Sequence, residues 1–260
     1  MKKHLFLLPV LLNVCNVYAQ NIDIDADNRM EWYREEQKIV AVGNAVAVKE
    51  NDTLKGDTLT AFYEKIQLED GTQKNQIQKI LSDGHVILQT ADTSGSGNHF
   101  DYDLPMQTAV LTGNPAKLEN ARLGEITAME SITYYGAENK SVALGTVVAK
   151  NPEYTVYADK MISFFDEDKQ GKKRLNRVEI YADSQPVKIV NNQATVTGKR
   201  GIYFPIENKL KMFDDITINQ NGDILNGDYA ETDLNTGISR LLATKASGRV
   251  SGVFHNKKKK

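Results

Sequence analysis

The histidines, the cysteine and the clustered carboxylates are the residues of this chain whose types could do chemistry. Its four histidines are His4, His85, His99 and His255. His4 falls in an N-terminal apolar segment and His255 in a basic tail, while His85 and His99 belong to different predicted strands. No HxH or HExxH spacing joins them, and the single cysteine is Cys15, so no zinc site is expected. Asp23, Asp25 and Asp27 form one acidic group and Asp166, Glu167 and Asp168 another. Paired carboxylates are the tools of glycoside hydrolysis, and clustered ones can hold calcium. The first group alternates along an extended segment and faces solvent as the polar side of a half-buried strand. The second sits in DEDKQGKK, which reads as a solvated hairpin tip, as does EDGTQKNQ at 69–76. The run Thr93-Ser94-Gly95-Ser96-Gly97 lacks the GxSxG spacing of a nucleophile elbow and reads as a flexible hairpin segment. No P-loop or GxGxxG occurs. The expectation is a protein without catalytic residues, metal or cofactor, and not an enzyme.

The elements around these residues read as strands. Ile22, Ile24 and Ala26 alternate with the three aspartates, Val40, Val42, Val46 and Val48 alternate with small residues around Gly43-Asn44, and Leu59, Ala61 and Tyr63 alternate again. Period-two alternation rich in β-branched residues marks strands with one buried face. Gly43-Asn44 and Asn51-Asp52 read as turns or kinks. The pattern recurs. A turn followed by an alternating apolar run appears as GNAVAV at 43–48, DGHVIL at 83–88, GNPAKL at 113–118, GTVVAK at 145–150, SQPVKI at 184–189 and DDITIN at 214–219. Each is preceded by an aromatic cluster, as in MEWY, TAFY, HFDY, ITYY, ISFF and GIYF. Residues 117–131 have helical propensity, but the repeat register makes them strand-turn-strand with a bend at Leu123-Gly124. A lone hairpin cannot bury its apolar face, whereas stacked hairpins can. The expected fold is all-β: about seven such units in a single elongated domain over residues 20–254.

The first residues stand apart. Lys2 and Lys3, the apolar run Leu5 to Val14, and the small-x-small end Val17-Tyr18-Ala19 form a secretory signal peptide over 1–19, cleaved after Ala19. Acylation at Cys15 is disfavoured, because Leu12-Asn13-Val14 lacks the small residues a lipoprotein signal wants. The mature chain would then be free of cysteine and disulfides. The net charge of -2 offers no field for nucleic acid. Lys257 to Lys260 form a basic tail, read as solvated and disordered at 255–260.

The positive signal is apolar. The registers read as inward carry Ile24, Met30 and Trp32, then Val42, Val46, Val48, Leu59 and Ala61, then Val86, Leu88 and Phe100. Further on they carry Leu111, Leu118, Ile132 and Tyr134, then Ile162, Phe164, Val187 and Ile189, and finally Ile202, Phe204, Ile216 and Ile218. A plain sandwich core and two sheets that leave a lined groove both satisfy this pattern.

Four motifs near the start are specific in combination: Ala26-Asp27 followed by Met30 and Trp32, Val42-Gly43-Asn44-Ala45, Leu54-Lys55-Gly56-Asp57, and Leu59-Thr60-Ala61-Phe62-Tyr63. Weaker echoes are Ala158-Asp159-Lys160-Met161 with Phe164, and Leu225-Asn226-Gly227-Asp228-Tyr229. Gly248 to Phe254 supplies a matching end. Together they resemble the LptA/OstA family of periplasmic lipopolysaccharide-transport proteins. The resemblance implies an open, twisted β-jellyroll (a β-taco) whose apolar groove takes lipid A acyl chains. It implies a periplasmic bridge between an inner-membrane LptC-like protein and an outer-membrane LptD-like translocon, with head-to-tail self-association through edge strands. The candidate docking residues are Ile22, Ile24 and Ala26 at one edge and Val250 and Val253 at the other. The alternatives are an exported structural or adhesive β protein, or another component of the same pathway. An exported polysaccharide lyase or hydrolase would need a charged cluster at matching repeat positions, and none is seen.

Overall fold

The computed structural model describes residues 22–68, 70–121, 123–167, 173–244 and 248–254. The signal-peptide segment, the basic tail and much of the 166–173 tip lie outside them. The regular elements among the described residues are strands. In chain order they are β1 (Asp23–Asp25), β2 (Arg29–Tyr33), β3 (Lys38–Lys49), β4 (Asp52–Gln67), β5 (Gln73–Gln89), β6 (Thr93–Asp103), β7 (Thr108–Thr112), β8 (Ala116–Asn120), β9 (Gly124–Ala128) and β10 (Ser131–Tyr135). There follow β11 (Lys140–Lys150), β12 (Thr155–Glu167), β13 (Lys173–Tyr181), β14 (Val187–Val190), β15 (Ala194–Gly198), β16 (Arg200–Phe204), β17 (Lys209–Gln220), β18 (Asp223–Asp233), β19 (Ile238–Leu242) and β20 (Ser251–Val253). They pack as two compact units: one of the described residues up to 121 plus 128–141, the other of 123–127 plus residues from 142 onward.

Every described pairing is antiparallel, and in each unit the long strands are folded over. In the N-terminal unit, β3 pairs with β2 along Lys38–Val42 and with β1 along Val46–Val48. In the same way β6 pairs with β7 at one end and β8 at the other. In the C-terminal unit, β12 pairs with β13 and then β14, and β17 pairs with β16 and then β15. Each long strand thus contributes to two arms that meet at a fold line, which is the open β-jellyroll arrangement.

The fold line has a regular construction. In β3, β5, β11 and β17 it falls on two consecutive residues with positive φ: Gly43-Asn44, Gly84-His85, Gly145-Thr146 and Asp214-Asp215. The ladder of β3 on β4 slips between Val42 and Ala45, and that of β17 on β18 between Phe213 and Ile216. These are β-bulges, which bend a strand and tighten its twist. Buried positions flanking the line are four apart in these strands, as with Ala41 and Ala45, Ser82 and Val86, Ala143 and Val147, and Met212 and Ile216. In the intervening strands they are three apart, as with Gly56 and Leu59 or Ala158 and Met161. The outer side of the line is polar. Asn44 Nδ2 donates to Asp27 at 2.8 Å, and His85 and His99 meet Asp57 and Asp83 at 2.9 and 2.6 Å. Asp159 accepts from the backbone N–H groups of Ser184 and Asp183 at 2.8 and 2.6 Å, which holds its carboxyl below the usual range.

The outer face is held by cations laid over aromatic rings. The Arg177 guanidinium lies 3.9 Å from the Phe164 centroid, Arg200 4.4 Å from Phe213, and the Lys211 ammonium 5.4 Å from Phe204. Burial opposes ionisation of Glu179, but hydrogen bonds from Tyr181 and Arg177 outweigh it and lower its pKa. Residues 93–97, expected to be a flexible hairpin segment, are instead the first half of strand β6. Gly95 lets the side chains of Leu118 and Leu88 close over it, which any Cβ there would crowd at 2.8 and 3.2 Å.

Candidate functional site

Between the arms of the N-terminal unit lies an apolar cavity of about 690 Å³, part of it open to solvent. Leu54, Leu88 and Ala47 come from one arm, and Ile80, Phe100, Tyr102 and Leu104 from the other. Its mouth carries Ile22, Val48, Lys49, Asp52, Thr53, Gln89 and Thr90. Burial raises the Asp52 pKa although Lys49 opposes it. A smaller void of about 260 Å³, also partly open to solvent, adjoins the same walls, between Leu88, Phe100, Ala109, Leu111, Leu118, Ile132 and Tyr134. The cross-strand partners Ala61, Ile80, Tyr102, Ala109 and Tyr134 form one inward row, and Leu59, Ser82, Phe100, Leu111 and Ile132 the next. The C-terminal unit holds a different cavity, of about 1040 Å³ and partly open. Its floor is Ile189, Val196, Leu210 and Ile218, and its rim carries Tyr154, Asn191, Gln193, Gln220, Thr232 and Asn235.

Most residues expected to line a groove take the inward register. Leu59, Ala61, Val86, Leu88, Phe100, Leu111, Leu118, Ile132 and Tyr134 are buried in the N-terminal unit. Val187, Ile189, Ile216 and Ile218 are buried in the C-terminal one. Ile24, Met30 and Trp32 pair opposite inward Ala47, Ala41 and Ile39, so they share that register. They lie on the edge strands β1 and β2, and Met30 and Trp32 remain 50% and 55% exposed. The Trp32 indole N–H donates to the Tyr63 hydroxyl at 2.6 Å.

Six positions are corrected. Val42 and Val46 lie on the outward register of β3, whose inward residues are Ala41, Ala45 and Ala47, while Val48 shares the outward register but borders the cavity mouth. Both registers of that strand are apolar, and the small side chains take the place where the arms converge. Ile162, Phe164, Ile202 and Phe204 also face outward, with Met161, Ser163, Phe165 and Tyr203 inside. The cations over Phe164 and Phe204 explain how aromatic side chains stand on the outer face. Of the edge residues, Ile22 lines the cavity mouth and Ala26 is half-buried. Val250 and Val253 are 47% and 56% exposed, Val253 on β20 opposite Ile224. Sequence reasoning missed Ala47, Leu54, Ile80, Tyr102 and Leu104. The Ala-x-Ala spacing at 45–47 and the leucine beside the Gly56 kink were the available signals.

A family described as LptA/(LptD N-terminal domain) LPS transport protein matches the chain twice, over residues 23–140 and 125–238. The chain belongs to this LPS-transport family. Among solved structures, it is similar to LptH from Pseudomonas aeruginosa, described as the LptA homologous periplasmic component of the conserved lipopolysaccharide transport device. The identity is 13% over 91% of this chain and 96% of that one, with a TM-score of 0.23. None of the curated proteins matches. The double match to the LPS-transport family reflects a duplication in the chain. The matches begin at residues 23 and 125, and the same offset of 102 carries Gly43 to Gly145, Asp57 to Asp159 and Phe62 to Phe164.

Proposed function

We propose that this LPS-transport protein is a periplasmic bridge that binds lipopolysaccharide and passes it from an inner-membrane LptC-like protein to an outer-membrane LptD-like translocon. Lipid A acyl chains lie between the arms while the sugar stays in water. One observation carries the reading: the apolar cavity of the N-terminal unit opens at a mouth that includes Ile22, and the inward rows reach edge strands where Met30 and Trp32 stay uncovered. An acyl chain exposed to water costs about 0.8 kcal/mol per CH₂, so a dozen carbons cost on the order of 10 kcal/mol. A walled trough removes most of that cost. Unpaired N–H and C=O groups along β1 and β2 in the N-terminal unit, and along β19 and β20 in the C-terminal unit, offer templates for a neighbouring protein's strand. A join of this kind is heterologous, so it extends head to tail.

Photo-crosslinkers at Leu88, Phe100 and Ile132 are expected to label lipopolysaccharide in the periplasm, with Val46 and Asp25 as outward controls. Labelling at the controls and not at the three inward sites would refute the trough. Deleting residues 22–26 is expected to abolish any concentration-dependent rise in mass by light scattering. A rise that persists removes that edge from the join.

A further inference from the structure

The two copies of the duplicated unit share a tyrosine that they use differently. Tyr203 is fully buried, and its hydroxyl donates at 3.0 Å to Oδ1 of Asn208, the left-handed residue that closes the following turn. Tyr102 stands at the corresponding place, five residues before Gln107, which closes its own turn with φ 50. The longer Gln107 side chain packs across Gly136, where any Cβ would meet it at 2.7 Å. The Tyr102 hydroxyl is buried without a hydrogen-bond partner among the described residues, and the residue lines the apolar cavity. A buried hydroxyl is normally paired, and an unpaired one at a cavity points to a missing partner. Leu54, Leu88 and Phe100 on the cavity walls are apolar, and its polar side chains, Asp52, Thr53, Gln89 and Thr90, lie at the mouth.

We infer that Tyr102 recognises an oxygen atom carried on the bound acyl chain itself, a hydroxyl or ester substituent set within its apolar length. This rests on the cavity being the lipid site proposed above. A bare hydrocarbon would fill the cavity and leave the phenol unpaired. A chain with an acceptor at the right carbon accepts its hydrogen bond as the arms part. The first copy thus selects among chains by the position of one oxygen, and the second copy, whose tyrosine is tied to its turn, does not read chains through that tyrosine.

The test uses the full-length protein with myristate and a set of monohydroxymyristates whose hydroxyl is moved along the chain. One positional isomer is expected to bind about five-fold tighter than myristate. Tyr102→Phe is expected to abolish that preference while keeping myristate affinity, and to melt no lower than the parent, because it removes an unpaired group. Tyr203→Phe is expected to melt lower and to keep the preference. Equal binding of every chain to the parent, or a preference that survives Tyr102→Phe, overturns this inference and leaves the lipid site standing. Failure to bind any chain overturns the lipid reading and this inference with it.

Discussion

Truncating Phe100 to alanine tests whether the arms of the N-terminal unit are held by packing across the cavity. Phe100 is 4% exposed and stands on the walls of both the 690 Å³ cavity and the 260 Å³ void. Removing a buried phenylalanine ring costs about 3–5 kcal/mol. Part of this ring already faces empty space, so fewer contacts are lost and the low end, about 3 kcal/mol, applies. At about 2–4 °C per kcal/mol for a domain of this size, the transition should fall by about 6–12 °C. The chain supplies its own local probe. Trp32 is its single tryptophan and is hydrogen-bonded to Tyr63 within the same unit. Its fluorescence reports that unit, while far-UV circular dichroism reports all strands. Phe100→Ala should lower the fluorescence transition by the stated amount. A shift corresponding to less than about 1 kcal/mol, or one seen by dichroism and absent from fluorescence, would refute the view that this ring holds the arms together.

Substitutions at Gly84 and Asp159 probe the fold line, with Gly71 in the β4–β5 hairpin as the comparison. At Gly84 (φ +72) an added Cβ would lie 2.2 Å from Asp57 Oδ2, whereas at Gly71 (φ +83) it would meet nothing within 4 Å. Gly71→Ala should cost about 1 kcal/mol of backbone strain, and Gly84→Ala should cost more because it also drives Asp57 from His85, read by urea midpoints. Equal costs would show that the bulge does not depend on that contact. Asp159 has a lowered pKa in the folded chain, so its contribution to stability is complete above the ordinary carboxylate value of about 3.9 and is lost as pH falls through its depressed native value. Asp159→Asn should flatten the acid limb of a stability-versus-pH curve below about pH 4, and an unchanged limb would show that the Ser184 and Asp183 contacts are not coupled to folding.

The strands were legible because alternation is a backbone property: Leu59 and Ala61, or Ile216 and Ile218, announce their buried face with polar neighbours on the other. Alternation fails where both faces are apolar, as along Ala41 to Val48, since it gives a period and no direction. It misleads where a cation covers an outward ring, as Arg177 covers Phe164. Tyr102 showed in the sequence only as the last residue of the HFDY cluster. Its state depends on where the Gln107 side chain turns, which only the folded arm determines.

The alternation of four-residue and three-residue steps at the fold line governs where this chain can change length. Removing one residue between Ala41 and Ala45 would turn Val46 and Val48 inward and carry Ala45 and Ala47 out, reversing one arm while leaving the other untouched. The offset between the two copies is 102 through β3 and β4 against β11 and β12, falls to 98 where Ile80 faces Tyr102 and Val178 faces Tyr203, and returns to 101 where Val86 faces Gly97 and Val187 faces Gly198. The hairpin tip of the second copy is thus four residues shorter, and its crease takes in three more residues between Ile180 and Val187 than lie between Ser82 and Val86. The crease accepts added length where the strand breaks in two, as between β13 and β14, and not where one strand runs through it. Added hairpins that each brought one step of four and one of three would keep the inward register of a unit in phase.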